Sequence, residues 1–214
     1  MTESEKLQKL IAADRYDPKV KNGISLRWLP GTEAATYVAQ GDEHSADGTV
    51  EESALNAKEQ IDKRMRKAET LKKMLPEPEL YEALSDERSA VSHEAMPEID
   101  VLLVGWGSTK SVVLDLLRDS KLKTQNSKLA YLHYTYLWPL KTERFSTLCS
   151  RAKKTILIEG NAQGQLGMLL RQETGTPIHS KILKYDGRPF FCDELQSLIE
   201  AEIRESKKLI IDNG

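Results

Sequence analysis

Residues 98–214 alternate between short apolar runs and amphipathic stretches, and this alternation limits the possible folds more than any other feature of the sequence. The apolar runs begin near Ile99, Lys128, Thr155 and Ile182, and apolar residues recur three or four positions apart after each of them. Parallel strands require crossover connections of this length, which helices usually supply. The pattern therefore predicts an α/β fold, a three-layer domain with a mostly parallel sheet between helices.

The first half of the chain contains one strong helical pattern, at residues 51–75. Small and apolar residues recur there every three or four positions, so they stack along one face. Thr49 and Glu52 have the spacing of a capping box, and Pro76 marks the end of the helix. The opposite face is charged and includes the basic cluster 63–67. That cluster could bind an anion, but a solvated helix face is the favoured interpretation.

The remaining segments indicate how the chain is organised. Residues 14–50 carry turn signals but no periodic pattern, which means either disorder or the end of a larger domain. The large apolar side chains within this stretch favour the second interpretation. Residues 76–97 are polar and predict a connector. The expected parts are therefore 1–75, a remnant domain with its helix, then the connector 76–97, and then a second domain at 98–214.

The composition excludes several classes of protein. The formal net charge is −2, from 31 basic and 33 acidic residues, so there is no basic surplus with which to bind nucleic acid. No apolar run approaches the roughly 18 residues of a membrane span, and the first residues do not resemble a signal peptide. The two cysteines, Cys149 and Cys192, form neither a disulfide framework nor a metal-binding cassette. We therefore expect a cytoplasmic protein with no nucleic-acid or membrane partner.

Two glycine-containing turns follow predicted strands, and they are the candidate binding loops. Ligands and partners of parallel sheets gather at the carboxyl ends of the strands, so both turns are expected side by side at that edge. The residues of the first turn are Gly105, Trp106, Gly107, Ser108 and Thr109, and those of the second are Glu159, Asn161, Gly164 and Gln165. Both turns are interpreted as binding or subunit-interface loops.

The chemistry of these turns stays open at the level of sequence. The first lacks the spacing of a dinucleotide fingerprint, a Walker A loop or a hydrolase elbow, so an ordinary turn is favoured over phosphate or carboxylate binding. Glu159 is either a general base or an ordinary hydrogen-bonded carboxylate. The amide side chains of this turn, including that of Asn161, suit backbone clamping or subunit contacts better than proton transfer. Three carboxylates surround His44, but no second histidine has ligand spacing, so a zinc site is disfavoured. No catalytic or metal-binding residue is assigned.

Several segments, in order over about residues 15–200, resemble the alpha subunit of 2-oxoacid:ferredoxin oxidoreductases. The segments include Gly41-Asp-Glu-His44, Asp62-Lys-Arg-Met65, Gly105-Trp-Gly-Ser-Thr109, Gly164-Gln-Leu166 and Lys184-Tyr-Asp-Gly-Arg-Pro-Phe190. The family-motif residues singled out within them are Asp42, Glu43, His44, Asp186, Gly187 and Arg188. The sequence departs from the family pattern at Leu26, where proline is usual, and at Lys110-Ser111, where glycine often follows.

The resemblance implies a fold for each half of the chain. Residues 98–214 would form a domain of the transketolase C-terminal type, and residues 1–75 would be the end of a thiamine pyrimidine-binding domain with its following helix. The second domain would contact a neighbouring subunit through its two glycine-containing turns, with the Trp106 ring facing the partner. The alternative for Trp106 is that its ring belongs to the core of the domain. The chain is therefore expected to act in subunit assembly and in shaping the active-site cleft.

The resemblance also implies an activity, which belongs to a complex. The complex would oxidatively decarboxylate a 2-oxoacid to an acyl-CoA and reduce ferredoxin, with 2-oxoglutarate favoured and pyruvate or a branched 2-oxoacid left open. Its cofactors would be thiamine diphosphate, Mg²⁺ and an iron–sulfur cluster, none of them bound by this chain alone. The implied partners are the beta subunit, the gamma-type and pyrimidine-binding parts of the alpha subunit, ferredoxin and CoA. The alternative is a free-standing, non-catalytic assembly module, and the isolated chain is expected to be inactive.

Overall fold

The chain divides into two units between Leu75 and Pro76. The structure is a computed structural model, and it describes residues 15–28, 38–39, 41–82, 98–118 and 128–211, with side chains up to residue 204. The division lies at the proline where the sequence predicts the end of the helix. Residues from Pro76 onward belong to the second unit, although 76–97 is expected from the sequence as a connector.

One long helix, α1 (Ala54–Met74), organises the first unit. Ser53 caps it, since its side-chain oxygen accepts a hydrogen bond from the backbone N–H three residues later at 3.3 Å. The predicted capping box of Thr49 and Glu52 is therefore wrong. The Thr49 hydroxyl donates instead to the Asp47 carboxylate at 2.7 Å, within the turn that precedes the helix.

The inward face of α1 is polar. Gln60 Nε2 donates to the carbonyl oxygens of Tyr16 and His44, at 2.9 and 3.2 Å. Asn56 Nδ2 also donates to the His44 carbonyl, at 3.0 Å. Lys63 is buried on this face, and burial lowers the pKa of its ammonium group. The expected solvated face is thus only partly correct, because polar side chains of α1 hold the segment that precedes the helix.

Five strands form the sheet of the second unit: β1 (Glu79–Glu82), β2 (Ile99–Trp106), β3 (Leu129–Tyr134), β4 (Ala152–Glu159) and β5 (Ser180–Leu183). Their order across the sheet is β1-β3-β2-β4-β5. The last four strands of this order run parallel, as the alternating pattern predicts. Strand β2 lies at the centre, and six of its eight residues are buried.

Helices cover both faces of this sheet. Successive residues of a strand point to opposite faces, so Leu103 joins one apolar cluster and Leu102 joins the other. The first cluster includes residues of α2 (Thr109–Arg118) and α5 (Cys192–Ile211), and the second includes residues of α3 (Glu143–Cys149) and α4 (Gln165–Thr174). The predicted three-layer α/β fold is thus confirmed. Among the described helices, none has both the length and the apolar character needed to cross a bilayer.

Strand β1 corrects the expectation of a connector at 76–97. It pairs antiparallel with β3, with Leu80 opposite Leu132. Leu80 is fully buried and Tyr81 nearly so. Strand β1 reads Glu-Leu-Tyr-Glu and places only two apolar side chains within a polar segment that contains prolines, which is why the sequence does not indicate it.

We expect residues 76–214, expressed alone, to unfold cooperatively in urea, and residues 98–214 to be less stable by about 3 kcal/mol. The shorter polypeptide lacks β1, so it loses the burial of Leu80 and Tyr81 and leaves the edge of β3 unpaired. Urea melts of both polypeptides, followed by circular dichroism, measure the difference. Equal midpoints and slopes would show that β1 does not contribute to the stability of the unit.

Candidate functional site

The two glycine-containing turns lie side by side at the carboxyl edge of the sheet. Strands β2 and β4 are direct neighbours, with Gly105 opposite Ile158, so the turns that follow them are adjacent. A hydrogen bond of 2.7 Å joins the turns directly, from the Trp106 indole N–H to the Glu159 carboxylate. The predicted juxtaposition is confirmed, and this edge is the candidate site.

The Glu159 carboxylate is the centre of the site. It has no solvent-exposed surface. Besides the Trp106 N–H it accepts hydrogen bonds from Asn161 Nδ2 at 2.9 Å and from the backbone N–H of Leu166 at 3.1 Å. The second of these donors belongs to the first turn of α4, where the helix dipole also favours a negative charge. Of the two interpretations left open, the hydrogen-bonded carboxylate is the one that this geometry supports.

Asn161 shapes the second turn. Its Oδ1 atom accepts hydrogen bonds from the backbone N–H groups of Gln163 at 3.1 Å, Gly164 at 2.7 Å and Gln165 at 3.4 Å. The predicted clamping of the backbone by this amide is confirmed. Gly164 has a φ of 69°, a conformation that favours glycine, and a Cβ there would lie 2.9 Å from the Leu157 side chain.

The first turn is closely packed rather than open. A Cβ on Gly105 would lie 2.8 Å from Thr109 Oγ1 and 3.0 Å from the Ile158 carbonyl oxygen, so a side chain has no room. Thr109 is the first residue of α2, and its hydroxyl donates to the Trp106 carbonyl at 2.9 Å. Ser108 and Gly107 are exposed at the tip of the turn.

A buried chain of hydrogen bonds supports this turn, and the sequence did not indicate it. The Thr109 hydroxyl lies 3.1 Å from the Tyr131 hydroxyl, which lies 2.9 Å from His133 Nδ1. Burial raises the pKa of Tyr131. Burial, together with the nearby Lys110 charge, lowers the pKa of His133 to about 4. The sequence signal that could have revealed these hydrogen bonds is the spacing of Tyr131 and His133, which lie two residues apart and therefore on one face of β3.

An ion pair lies beside this chain of hydrogen bonds. Lys110 Nζ lies 2.7 Å from the Glu79 carboxylate and 5.4 Å from the centre of the Tyr81 ring. The hydroxyl of Thr135 donates to the same carboxylate at 3.2 Å. Burial, the largest single influence, would raise the pKa of Glu79, but the hydrogen bonds from Lys110, Tyr81 and Thr135 and the Lys110 charge together outweigh it and leave the pKa below its usual value. Glu79 belongs to β1, the strand that the sequence did not indicate.

Comparison with known proteins relates this chain to solved and curated relatives. No family model matches the chain. It is 31% identical over 194 residues to 2-oxoacid:ferredoxin oxidoreductase 1, subunit alpha, of Sulfurisphaera tokodaii, a match that covers 91% of this chain and 28% of that protein. The subunit of the same name from Aeropyrum pernix is 31% identical over 187 residues, 86% of this chain and 27% of that protein. A solved 2-oxoglutarate:ferredoxin oxidoreductase from Magnetococcus marinus has a TM-score of 0.64 at 27% identity, over 88% of this chain and 30% of that chain.

The chain belongs to the family of 2-oxoacid:ferredoxin oxidoreductase alpha subunits. The resemblance that its sequence segments indicate is thus confirmed. The chain spans about 28% of the length of the curated relatives it matches. It therefore corresponds to one segment of the alpha subunit.

The alpha-subunit motif at residues 184–190 forms a turn after β5, and ion pairs among its own residues stabilise that turn. Arg188 Nη2 and Nε donate to Asp186 Oδ2 at 2.6 and 3.0 Å, and Lys184 Nζ lies 3.3 Å from the same oxygen. The Arg188 hydrogen bonds lower the pKa of Asp186 to about 2. Gly187 occupies the tip of this turn, with a φ of 81°. These motif residues stabilise the turn, which lies at the same carboxyl edge.

The other alpha-subunit motif residues lie in the first unit. Glu43 forms an ion pair with Arg64 of α1, and the His44 ring stacks on the Tyr16 ring with 4.5 Å between centroids and 4° between planes. Asp42 is exposed. This motif therefore holds the segment before α1 against the helix.

Of the cofactors that the family resemblance implies, Mg²⁺ and an iron–sulfur cluster require several converging donor groups. Across the described parts of this alpha-subunit chain, no three His, Cys, Asp or Glu side chains converge on a possible metal site. Burial raises the pKa of the Cys149 thiol to about 12, so it remains protonated, and Cys192 is exposed at the start of α5. These residues do not fit Mg²⁺ or an iron–sulfur cluster. Their chemistry is that of hydrogen bonding and packing.

We expect the second unit to lose stability as the pH falls from about 6.5 to about 4, because of His133. In the unfolded chain this imidazole has its usual pKa, whereas burial lowers its pKa to about 4 in the folded unit. Below pH 6.5 the unfolded state therefore binds a proton that the folded state excludes. Urea melts at pH 7 and about pH 4.5 should show that wild type loses on the order of 2 kcal/mol more than His133→Gln. Identical pH dependence of the two proteins would contradict the lowered pKa.

Proposed function

We propose that this chain is part of the alpha subunit of a thiamine diphosphate-dependent 2-oxoacid:ferredoxin oxidoreductase, where it holds subunits together and shapes the cleft between them. The match with curated alpha subunits over 91% of the chain carries the proposal. The solved relative from Magnetococcus marinus holds 2-oxoglutarate, coenzyme A and succinyl-CoA, which supports 2-oxoglutarate as the substrate of the proposed complex.

In the proposed reaction, a 2-oxoacid loses its carboxylate as CO₂ and its acyl group forms a thioester with CoA, whose thiol releases a proton. Two electrons leave the substrate in this step and reduce ferredoxin. Thiamine diphosphate, bound elsewhere in the complex, would supply carbanion stabilisation. The residues of this chain contribute rigidity and contact surface, because the buried Glu159 carboxylate joins both turns at the edge of the sheet.

The surface proposed to contact a neighbouring subunit surrounds the two turns, and we call it the carboxyl-edge surface. It consists of four exposed aromatic side chains that follow β3 and β5: Tyr136, Trp138, Tyr185 and Phe191. Trp138 is 66% exposed and Tyr185 is 70% exposed. Aromatic residues are enriched at the centres of protein interfaces, where they supply much of the binding energy. Four such exposed side chains at one edge support an assembly role.

Trp106 has a different role from the one expected of it. Its ring packs against the second apolar cluster and is only partly exposed, and its N–H is bonded to Glu159. We therefore assign Trp106 to the support of the edge. The more exposed Trp138 and Tyr185 are the proposed contact residues.

We expect Trp138→Ala and Tyr185→Ala to reduce co-purification of this chain with a beta subunit from the same organism by on the order of tenfold each. Both side chains are exposed, so the urea midpoints of the isolated variants should match wild type. Leu198→Ala is the matched control, since Leu198 is a partly exposed apolar residue on α5. Normal binding by both aromatic variants would contradict the carboxyl-edge surface.

The activity is tested on the assembled complex. Mixing this chain with the beta subunit and with the remaining alpha-subunit polypeptide should give acceptor-dye reduction that requires 2-oxoglutarate, CoA and thiamine diphosphate. The chain alone should give none, because its described residues hold no metal site and no assigned catalytic group. Turnover by the isolated chain, or no turnover in any mixture, would contradict the proposed function.

A further inference from the structure

Helix α1 turns its apolar stripe away from its own unit. The stripe consists of residues spaced three or four positions apart on one face of the helix: Ala54, Ala57, Ile61, Met65 and Ala68. Ile61 is 51% exposed and Met65 is 58% exposed, although both lie near the middle of the helix. A surface helix usually directs such a stripe toward a hydrophobic core. The reversed orientation in α1 therefore needs a physical cause.

The cause is the set of hydrogen bonds on the opposite face. Gln60 and Asn56 donate to carbonyl oxygens of the preceding segment, and Arg66 donates to the carbonyl of Pro18. Gly23 lies directly on the helix backbone, where a Cβ would come within 2.6 Å of the Lys63 carbonyl oxygen. Rolling α1 to bury the stripe would break these bonds and separate these surfaces. The polar face therefore binds the preceding segment of its own unit, and the apolar stripe remains available for contact with another partner.

We infer that this stripe is the docking surface for a polypeptide that corresponds to the part of the alpha subunit outside the matched segment. The inference rests on the proposed function. This chain covers 28% of the curated relative, so most of that alpha subunit lies beyond the match. In the relative those parts share one chain with the equivalent of α1, so they are the polypeptide that accompanies this helix. Specific interfaces between separate polypeptides bury roughly 1,200 Å² or more, so the remaining polypeptide is expected to contact this chain beyond the stripe as well.

The chemistry of the stripe defines the kind of surface that fits it. Two cations that border it are paired within the unit: Lys58 with Asp62 at 2.7 Å, and Arg64 with Glu43. Neither cation therefore requires a charged group on the partner. The alanines allow close approach of a partner backbone, and the flexible Met65 side chain adapts to its shape. The occupant should present an uncharged, apolar helix or sheet face.

The test compares the double variant Ile61→Glu/Met65→Glu with the control Leu55→Glu. Leu55 is 69% exposed and lies on α1 outside the stripe. Leu55→Glu therefore makes the same apolar-to-acidic change on a different side of the helix. Each variant is mixed with the separately expressed remaining alpha-subunit polypeptide, and the bound fraction is measured by co-purification. The double variant should bind on the order of a hundredfold more weakly, and Leu55→Glu within about twofold of wild type.

Four outcomes would overturn the inference. Normal binding by the double variant would exclude the stripe as the contact, and so would a wild-type chain that does not bind that polypeptide. A large fall in the urea midpoint of the isolated double variant would show that the stripe is covered within this chain. A dimer of the isolated chain that the double variant converts to monomer would identify a second copy as the occupant. Binding of the beta subunit, measured in parallel, reports separately on the proposed function.

Discussion

The carboxylate of Glu159 lies fully inside the protein, and the arrangement of the carboxyl edge depends on the donors around it. A buried charge is costly unless it is hydrogen-bonded, and here the bonds come from Trp106, Asn161 and the start of α4. These donors belong to two different turns and to the helix that follows the second. Satisfying one carboxylate therefore fixes the relative position of three structural elements.

Further contacts extend from the Glu159 carboxylate to the rest of the site. Trp106 continues into the first turn, whose Thr109 hydroxyl is linked through Tyr131 to His133 beneath the sheet edge. On the other side of the two glycine-containing turns, the turn after β5 is stabilised by the ion pairs of Asp186. Such an edge is rigid before any partner arrives, so little conformational entropy is lost on assembly. That property suits the assembly role proposed for this segment.

The sequence predicts the layers of the fold better than the contacts of the site. The alternation of apolar runs with amphipathic stretches reveals the parallel strands and their helices. It misses β1, whose two apolar residues lie within a polar segment, and it shows the apolar stripe of α1 without showing which way the stripe faces. The Trp106–Glu159 bond joins residues far apart in the chain, so no local pattern signals it. The family segments identify the alpha subunit, but the structural roles of Asp186 and Arg188 become visible only from their geometry.

A double-mutant cycle on Trp106→Phe and Glu159→Gln tests the central claim most directly, since it isolates the interaction that joins the two turns. Free energies of unfolding for residues 76–214 are measured in urea for wild type, both single variants and the double variant. A hydrogen bond to a buried carboxylate predicts a coupling energy on the order of 1–2 kcal/mol. Effects that add within about 0.3 kcal/mol would show that the two turns are stabilised independently and would contradict the account.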